Sequence, residues 1–214
     1  ARAGRRLVGT DLDLDQPEGA LGAVTSELEV AMEGRVIDTL LDAPEIEDPR
    51  ALVAGRLLKV GAAAAFYAGP VVYSLIIFKA VNLMLRNGAS PDACTLYSSY
   101  GQIVSAVQGD IAAGDAWGRL GVAQSERFDR RDNVAFSIFL YAGFVAPWTT
   151  HLPGVVEMLE RGYRLGVESG ELRFSGYTLV YVLLDKYFLG RPLQALEPEL
   201  DEYMSFSVQT NSPL

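Results

Sequence analysis

The sequence predicts an all-α protein of antiparallel helix pairs, and three observations carry that expectation. Apolar residues recur at spacings of three and four along most of the 214 residues, the period of an amphipathic helix. Proline, glycine and Asx residues divide the chain into helix-length pieces. Period-two alternation is not sustained anywhere. Val71-Val72-Tyr73 and Tyr177 to Leu183 favour strand locally but lie inside longer apolar stretches.

Residues 1–16, rich in Gly, Asp and Arg, read as an irregular lead-in or linker, and residues 17–214 as one helical repeat region. Pro17 opens a first helix whose apolar face is Leu21, Val24, Leu28, Met32, Val36, Ile37, Leu40 and Leu41, ended by Pro44. Asp48-Pro49 is an N-cap followed by proline at the first helical position. That second helix stops at Gly69, and Pro70 starts a third that ends at Asn87-Gly88. Ser90-Pro91 caps a fourth, expected to run to Gly109. A fifth covers Asp110 to Phe128 and a sixth Asp132 to Ala146. After the loop from Pro147 to Pro153, a seventh reaches Gly170, an eighth spans Leu172 to Leu189, and Pro192 opens a ninth that fades near Val208.

Helix stops at Asn87-Gly88, Phe128-Asp129 and Ser169-Gly170 fall about forty residues apart, a period typical of helix-pair solenoids and slightly longer than the tetratricopeptide unit. The string Arg119-Leu120-Gly121-Val122 recurs as Arg164-Leu165-Gly166-Val167. A mid-helix glycine costs about 1 kcal/mol relative to alanine, so both glycines are expected where a partner helix approaches closely. The fold expected is helix pairs stacked as a tetratricopeptide-like right-handed superhelix.

The formal charge of -9 and pI near 4.7 leave no basic surface to neutralise phosphates, so a nucleic-acid partner is not expected. Arg2, Arg5 and Arg6 form a basic terminal cluster read as solvated tail. The uncharged runs Val60 to Phe78 and Asn133 to Val156 approach membrane-span length. Gly69-Pro70 and Pro147 with Pro153 interrupt them, so each is read as two buried helices meeting at a turn. A single cysteine, Cys94, excludes an intrachain disulfide and fits a cytoplasmic location. The chain opens on Ala1 without a signal peptide and is expected to be a segment of a longer protein.

Chemistry is sparse. No Gly-rich phosphate loop, dinucleotide fingerprint or protein-kinase motif is present. One Cys and one His, far apart, offer no zinc site. Glu27, Glu29 and Glu33 read as the polar face of the helix that carries Leu28 and Met32. His151 lies in a Thr-Thr-His-Leu-Pro turn, and Cys94 reads as a small buried hydrophobe. No catalytic, cofactor-binding or metal-ligating residue is assigned, no cofactor is expected, and no enzyme activity is expected of this segment. The remaining candidates are aromatic: Tyr97 and Tyr100 on one helix face, then Trp117, Trp148, Tyr163 and Tyr177 in successive helices, with His151 beside them. They read either as packing between helix pairs or as a groove for a peptide or partner helix.

Several of these stretches resemble a known family. Phe78 to Gly88, Tyr97 to Gly101, Gly109-Asp110, Gly143 to Trp148 and Glu160 to Leu172 are similar to a helical module of very large bacterial signalling proteins. In those proteins a Ser/Thr protein kinase domain and a regulatory P-loop ATPase domain precede the helical region. A GAF domain and a sensor histidine kinase often follow it. The resemblance covers roughly residues 35 to 205 and includes none of the family's catalytic residues. Pro147 departs from the pattern and is expected to shorten the sixth helix. The resemblance implies a regulatory segment that senses an input or holds the ATPase closed. The function expected is therefore a non-catalytic scaffold that engages other domains of its own chain or a protein or peptide partner. The alternative is a small-molecule sensor with an apolar pocket between helices, with room expected from Ala62 to Ala65 and the Tyr-rich helices.

Overall fold

The computed structural model describes residues 16–210. The lead-in expected over residues 1–16 and the basic cluster at Arg2, Arg5 and Arg6 lie outside the described residues, apart from Gln16. Among the described residues the chain is all-helical, and its one β feature is an isolated bridge between Glu45 and Ala89. Nine α-helices follow one another: α1 Pro17–Met32, α2 Pro49–Ala68, α3 Pro70–Asn87, α4 Leu96–Ile103, α5 Ile111–Arg127, α6 Arg131–Phe144, α7 Leu152–Ser169, α8 Leu172–Phe188 and α9 Leu193–Thr210.

Local chemistry sets most boundaries as the sequence implies. The Asp48 carboxylate accepts from the Arg50 backbone N–H and caps α2. Gly69, at φ 131°, breaks the long apolar run into α2 and α3. Asp110 caps α5 through the Ala113 N–H. Gly170, left-handed at φ 80°, ends α7. Pro147 shortens the sixth helix as expected. α6 stops at Phe144, and a 3-10 turn, Ala146–Trp148, takes up the proline.

Two boundaries differ. The first helix stops at Met32, well before Pro44, because the chain turns at Gly34 with φ 72°. Its expected second half, Ile37–Asp42, is a separate 3-10 segment held by α5. There the fully buried Gln124 amide donates to the carbonyls of Leu40 (2.8 Å) and Leu41 (3.2 Å), and Arg127 donates to those of Leu41 and Ala43. Satisfying the ends of a 3-10 segment from another element anchors it. The fourth helix begins later than Ser90, at Leu96, and ends in a π turn, Val104–Gln108. The Ser90 hydroxyl still accepts from the Ala93 N–H and caps the turn that leads in.

The helices form a constant series. Pro70, Ile111, Leu152 and Leu193 start α3, α5, α7 and α9, each 41 residues after the last. Pro49, Ser90, Arg131 and Leu172 open the alternate segments at the same step. Each α-helix packs substantially on helices one or two places away in the chain, and α4, α6 and α8 touch in series. The apolar core falls into two clusters. One joins α1 to the start of α5, and the other joins α6, α7 and α8. Between them runs a seam of small and polar groups. Ser98 donates to the Gly118 carbonyl, Ser125 to that of Gly121, and the Ser125 and Ser137 hydroxyls are 3.0 Å apart.

Glycines set the helix separations. A Cβ on Gly121 would lie 2.6 Å from the Ser98 backbone nitrogen, and one on Gly114 would lie 2.7 Å from the Gly101 carbonyl oxygen. Gly118 faces the Tyr141 ring, and Gly162 faces Ile138. The repeated Arg-Leu-Gly-Val string marks two close approaches of different kinds. Gly121 meets Ser98 of the preceding α4, whereas Gly166 meets Ser175 of the following α8. The two strings lie 45 residues apart, out of step with the helix series.

Gly121→Ala tests this packing. At an open helical site the change stabilises by about 1 kcal/mol. Here overpacking reverses the sign, and a loss of about 1–3 kcal/mol is expected in urea unfolding. Gly22→Ala in α1, with no heavy atom within 4 Å of the added Cβ, gains stability in the same assay.

Candidate interaction surface

The seven sequence-predicted residues do not converge on one groove. Tyr97 and Trp117 are buried, with rings stacked at 5.5 Å between centroids, and Tyr100 meets Trp117 edge-on at 5.1 Å. These three join α4 to α5 as packing. Burial also pushes the Tyr97 hydroxyl above the usual phenol range. Half-buried Tyr163 packs on Phe206 of α9. Half-buried Tyr177 lies beside Phe139 and Phe174 in an aromatic cluster between α6 and α8. Trp148 and His151 alone are exposed, on either side of the turn into α7.

The Trp148 turn is rigidly placed. Thr149 Oγ1 donates to Asp115 (2.6 Å), and the Tyr141 hydroxyl donates to the same carboxylate oxygen (2.8 Å). Arg119 pairs with the other oxygen at 3.0 Å. Burial, then the Asp115 carboxylate, push the Tyr141 hydroxyl up to about 12. This buried network fastens the α6–α7 turn to the first turns of α5.

The 41-residue step then places an exposed apolar residue at the same point of every helix pair. Phe66 at the end of α2, Val107 in the π turn after α4, Trp148 in the 3-10 turn after α6 and Leu189 just after α8 follow one another at that step. Their exposures are 64%, 75%, 73% and 40%. A second row at the same step, Ile111, Leu152 and Leu193, starts α5, α7 and α9. Its outer members are exposed and Leu152 is half-buried. Single exposed apolar residues are ordinary. Four at one register position are a patterned surface. Sequence reasoning found Trp148 and missed the others, because the period was taken as about forty; a step of 41 from Trp148 lands on Val107 and Leu189 directly.

Two clefts lie elsewhere on the surface. One, of about 490 Å³, is lined by charged and polar groups from Asp129 to Asp132 and from Ser169 to Glu171. The other, of about 350 Å³ between α7, α8 and α9, is lined by Tyr163, Val182, Leu183 and Tyr203 with Glu160, Lys186 and Glu199. Lys186 bonds Glu199 at 2.6 Å and Glu160 at 3.0 Å. Ala62 to Ala65 line neither cleft; Ala62 and Ala65 are buried in the first core cluster. The Cys94 thiol is buried and lies 3.6 Å from the Ser125 hydroxyl, and burial raises its pKa. Among the described residues α2 has the length and composition of a membrane span, with a mean hydropathy of 1.4 and a third of the span buried.

The chain is 23% identical over 140 residues to hybrid signal transduction histidine kinase G of Dictyostelium discoideum. The match takes in 64% of this chain and spans 4% of the length of that relative. No family model matches the sequence, and no solved structure matches it. Four glycines in the stretches that resemble signalling-protein modules are packing positions, Gly101 against Gly114, Gly143 against the Tyr181 ring, Gly162 against Ile138 and Gly166 against Ser175, whereas Gly109 and Gly170 have open space around them and serve left-handed turns.

The two tryptophans provide a direct check on this placement. Trp148→Phe is expected to leave the blue-shifted, iodide-insensitive emission of buried Trp117, and Trp117→Phe to leave red-shifted emission that iodide quenches. Similar quenching in both variants contradicts the assignment.

Proposed function

We propose that the chain is a non-catalytic scaffold segment of a larger signal-transduction protein. Its helix pairs stack as a tetratricopeptide-like superhelix, and it engages a protein partner along its turn edge. The observation that carries this reading is the row Phe66, Val107, Trp148 and Leu189, one exposed apolar residue per helix pair at a constant step. A helix-pair stack extends by repetition, so a side chain kept at one register position generates a linear row. A linear row suits an elongated partner, a helix or extended segment with regularly spaced apolar anchors.

The similarity to a hybrid signal transduction histidine kinase supports the signalling context. The resemblance to multidomain kinase and ATPase proteins supports a parent chain whose other domains are the natural partners. A cytoplasmic location is part of the same reading, with Cys94 free and buried. The sensor reading finds less support, because both clefts are open and carry charged linings, whereas small-molecule sites are mostly apolar and enclosing.

Small-angle scattering tests the shape. A radius of gyration well above the roughly 17 Å of a compact globule of this length is expected, and a value near that figure argues against a stack. Display selection of peptides on the chain, followed by hydrogen-exchange footprinting, tests the edge. Trp148→Ala is expected to weaken selected peptides by about 2 kcal/mol, the scale of an interface hot spot. Val167→Asp, exposed on the outer turn of α7, serves as the control and is expected to leave binding unchanged. Peptides indifferent to Trp148 and Val107 would refute the edge as the binding face.

A further inference from the structure

The turn edge carries two apolar rows, not one. From α4 onward Val107, Trp148 and Leu189 make the first, and Ile111, Leu152 and Leu193, each four residues further on, make the second. The step in sequence is also a step in space, because α4, α6 and α8 touch in series. Helices in contact lie about 8–10 Å apart, so successive members of a row stand about that far from one another.

That pitch selects the backbone of a partner laid along the edge. An extended strand returns to the same face every second residue, at about 6.8 Å and again at about 13.6 Å, and neither distance fits. An α-helix with an apolar residue at every seventh position repeats it at about 10.5 Å, close to the pitch. A heptad seam has two apolar positions, a and d, and the edge has two rows to receive them. A polyproline helix repeats at about 9.3 Å, but such segments dock in aromatic-lined grooves. Here Val107, Leu189 and the whole second row are aliphatic.

Charge adds the flanks. Residues 66–76, 107–117, 148–158 and 189–199 contain the turns and the first helical turns after them. They hold the acids Asp110, Asp115, Glu157, Glu197 and Glu199 against one base, Arg191. Asp115 is paired with Arg119 and Glu199 with Lys186. Exposed Asp110, Glu157 and Glu197 then outweigh exposed Arg191. Basic residues beside the apolar seam of a partner complement that balance.

We infer that the turn edge takes a heptad helix, apolar at a and d and basic at the flanking e and g positions. The inference rests on the binding role proposed above for this edge and names its occupant. Two steps separate Val107 from Leu189, so two heptads of helix, about 21 Å, reach from the first anchor to the last.

Fluorescence anisotropy with three dye-labelled synthetic peptides tests it. The first, about 22 residues long, has leucine at a and d and lysine at e and g, so that like charges oppose its own pairing. The second has the same composition with its leucines in strict alternation. The third is proline-rich, with an apolar residue at every third position. The heptad peptide is expected to bind about tenfold or more tightly than either, to weaken as salt is raised, and to gain helical circular dichroism in the complex. Val107→Asp and Trp148→Ala, both at exposed positions, should each weaken it by about tenfold or more. Tighter binding of the alternating or proline-rich peptide, lost with the same two substitutions, keeps the edge and overturns the helix. Absence of heptad-peptide binding also overturns the helix, and the peptide selection described above then judges the edge by itself. Heptad binding that survives both substitutions overturns the inference together with the turn-edge reading.

Discussion

Helices α4 to α8 approach one another so closely that a methyl group would not fit at the crossing points, and the rest of the architecture depends on this. Gly101 lies against Gly114, Gly121 against the Ser98 backbone, Gly118 against the Tyr141 ring and Gly166 against Ser175. Backbones at such short range exchange contacts that larger side chains would have to bridge, and they bring serine hydroxyls onto carbonyls across the interface. Each glycine is costly to its own helix, and the close packing it permits offsets that cost.

That constraint also explains why the apolar core is not continuous. Ser98 lies between α4 and α5, and Ser125 and Ser137 lie between α5 and α6, so this line of hydroxyls separates two oily clusters. The 3-10 segment Ile37–Asp42 ties the first cluster across a long chain separation. Its carbonyls are satisfied by Gln124 and Arg127 near the end of α5, just before the seam. Buried amide-to-carbonyl bonds of this kind are expensive to leave unmade, so they fix the early part of the chain to the middle of the stack.

Much of this was legible in the sequence. Asp48-Pro49, Gly69-Pro70, Asn87-Gly88, Asp110 and Gly170 set their boundaries through local backbone chemistry, and local chemistry is what a sequence displays. Pro147 was likewise legible as the end of α6. The course of Ile37–Asp42 was not, because its apolar spacing continues that of α1 and donors more than eighty positions away, Gln124 and Arg127, hold it elsewhere. The aromatic residues were legible as a group but not by role. Tyr97 and Trp148 are both aromatic residues at helix-like spacing. Whether one is core and the other surface depends on which face its helix turns to its neighbour, a tertiary property. The sequence also set two Arg-Leu-Gly-Val strings in apparent parallel, and their neighbours show that the likeness is chemical, not positional.

The turn-edge row has a physical meaning beyond its periodicity. Packing accounts for a buried residue such as Ile138 or Leu159, whose loss opens a cavity. It does not account for Val107 or Trp148, whose side chains stand largely in water, and it accounts for Phe66 only through edge contacts with Tyr67 and Tyr73. Solvent favours polar replacements at such places, and the turns that bear them differ in backbone: the last turn of an α-helix, a π turn and a 3-10 turn. Local geometry therefore does not dictate an apolar residue at the shared register point. What the positions share is their place on the stack, at the same end of each helix pair. A feature tied to place and independent of local fold is the one on which the proposed partner-binding role rests. The row therefore keeps the 41-residue step, whereas Gly121 and Gly166, which set two of the close helix contacts, lie out of step with it.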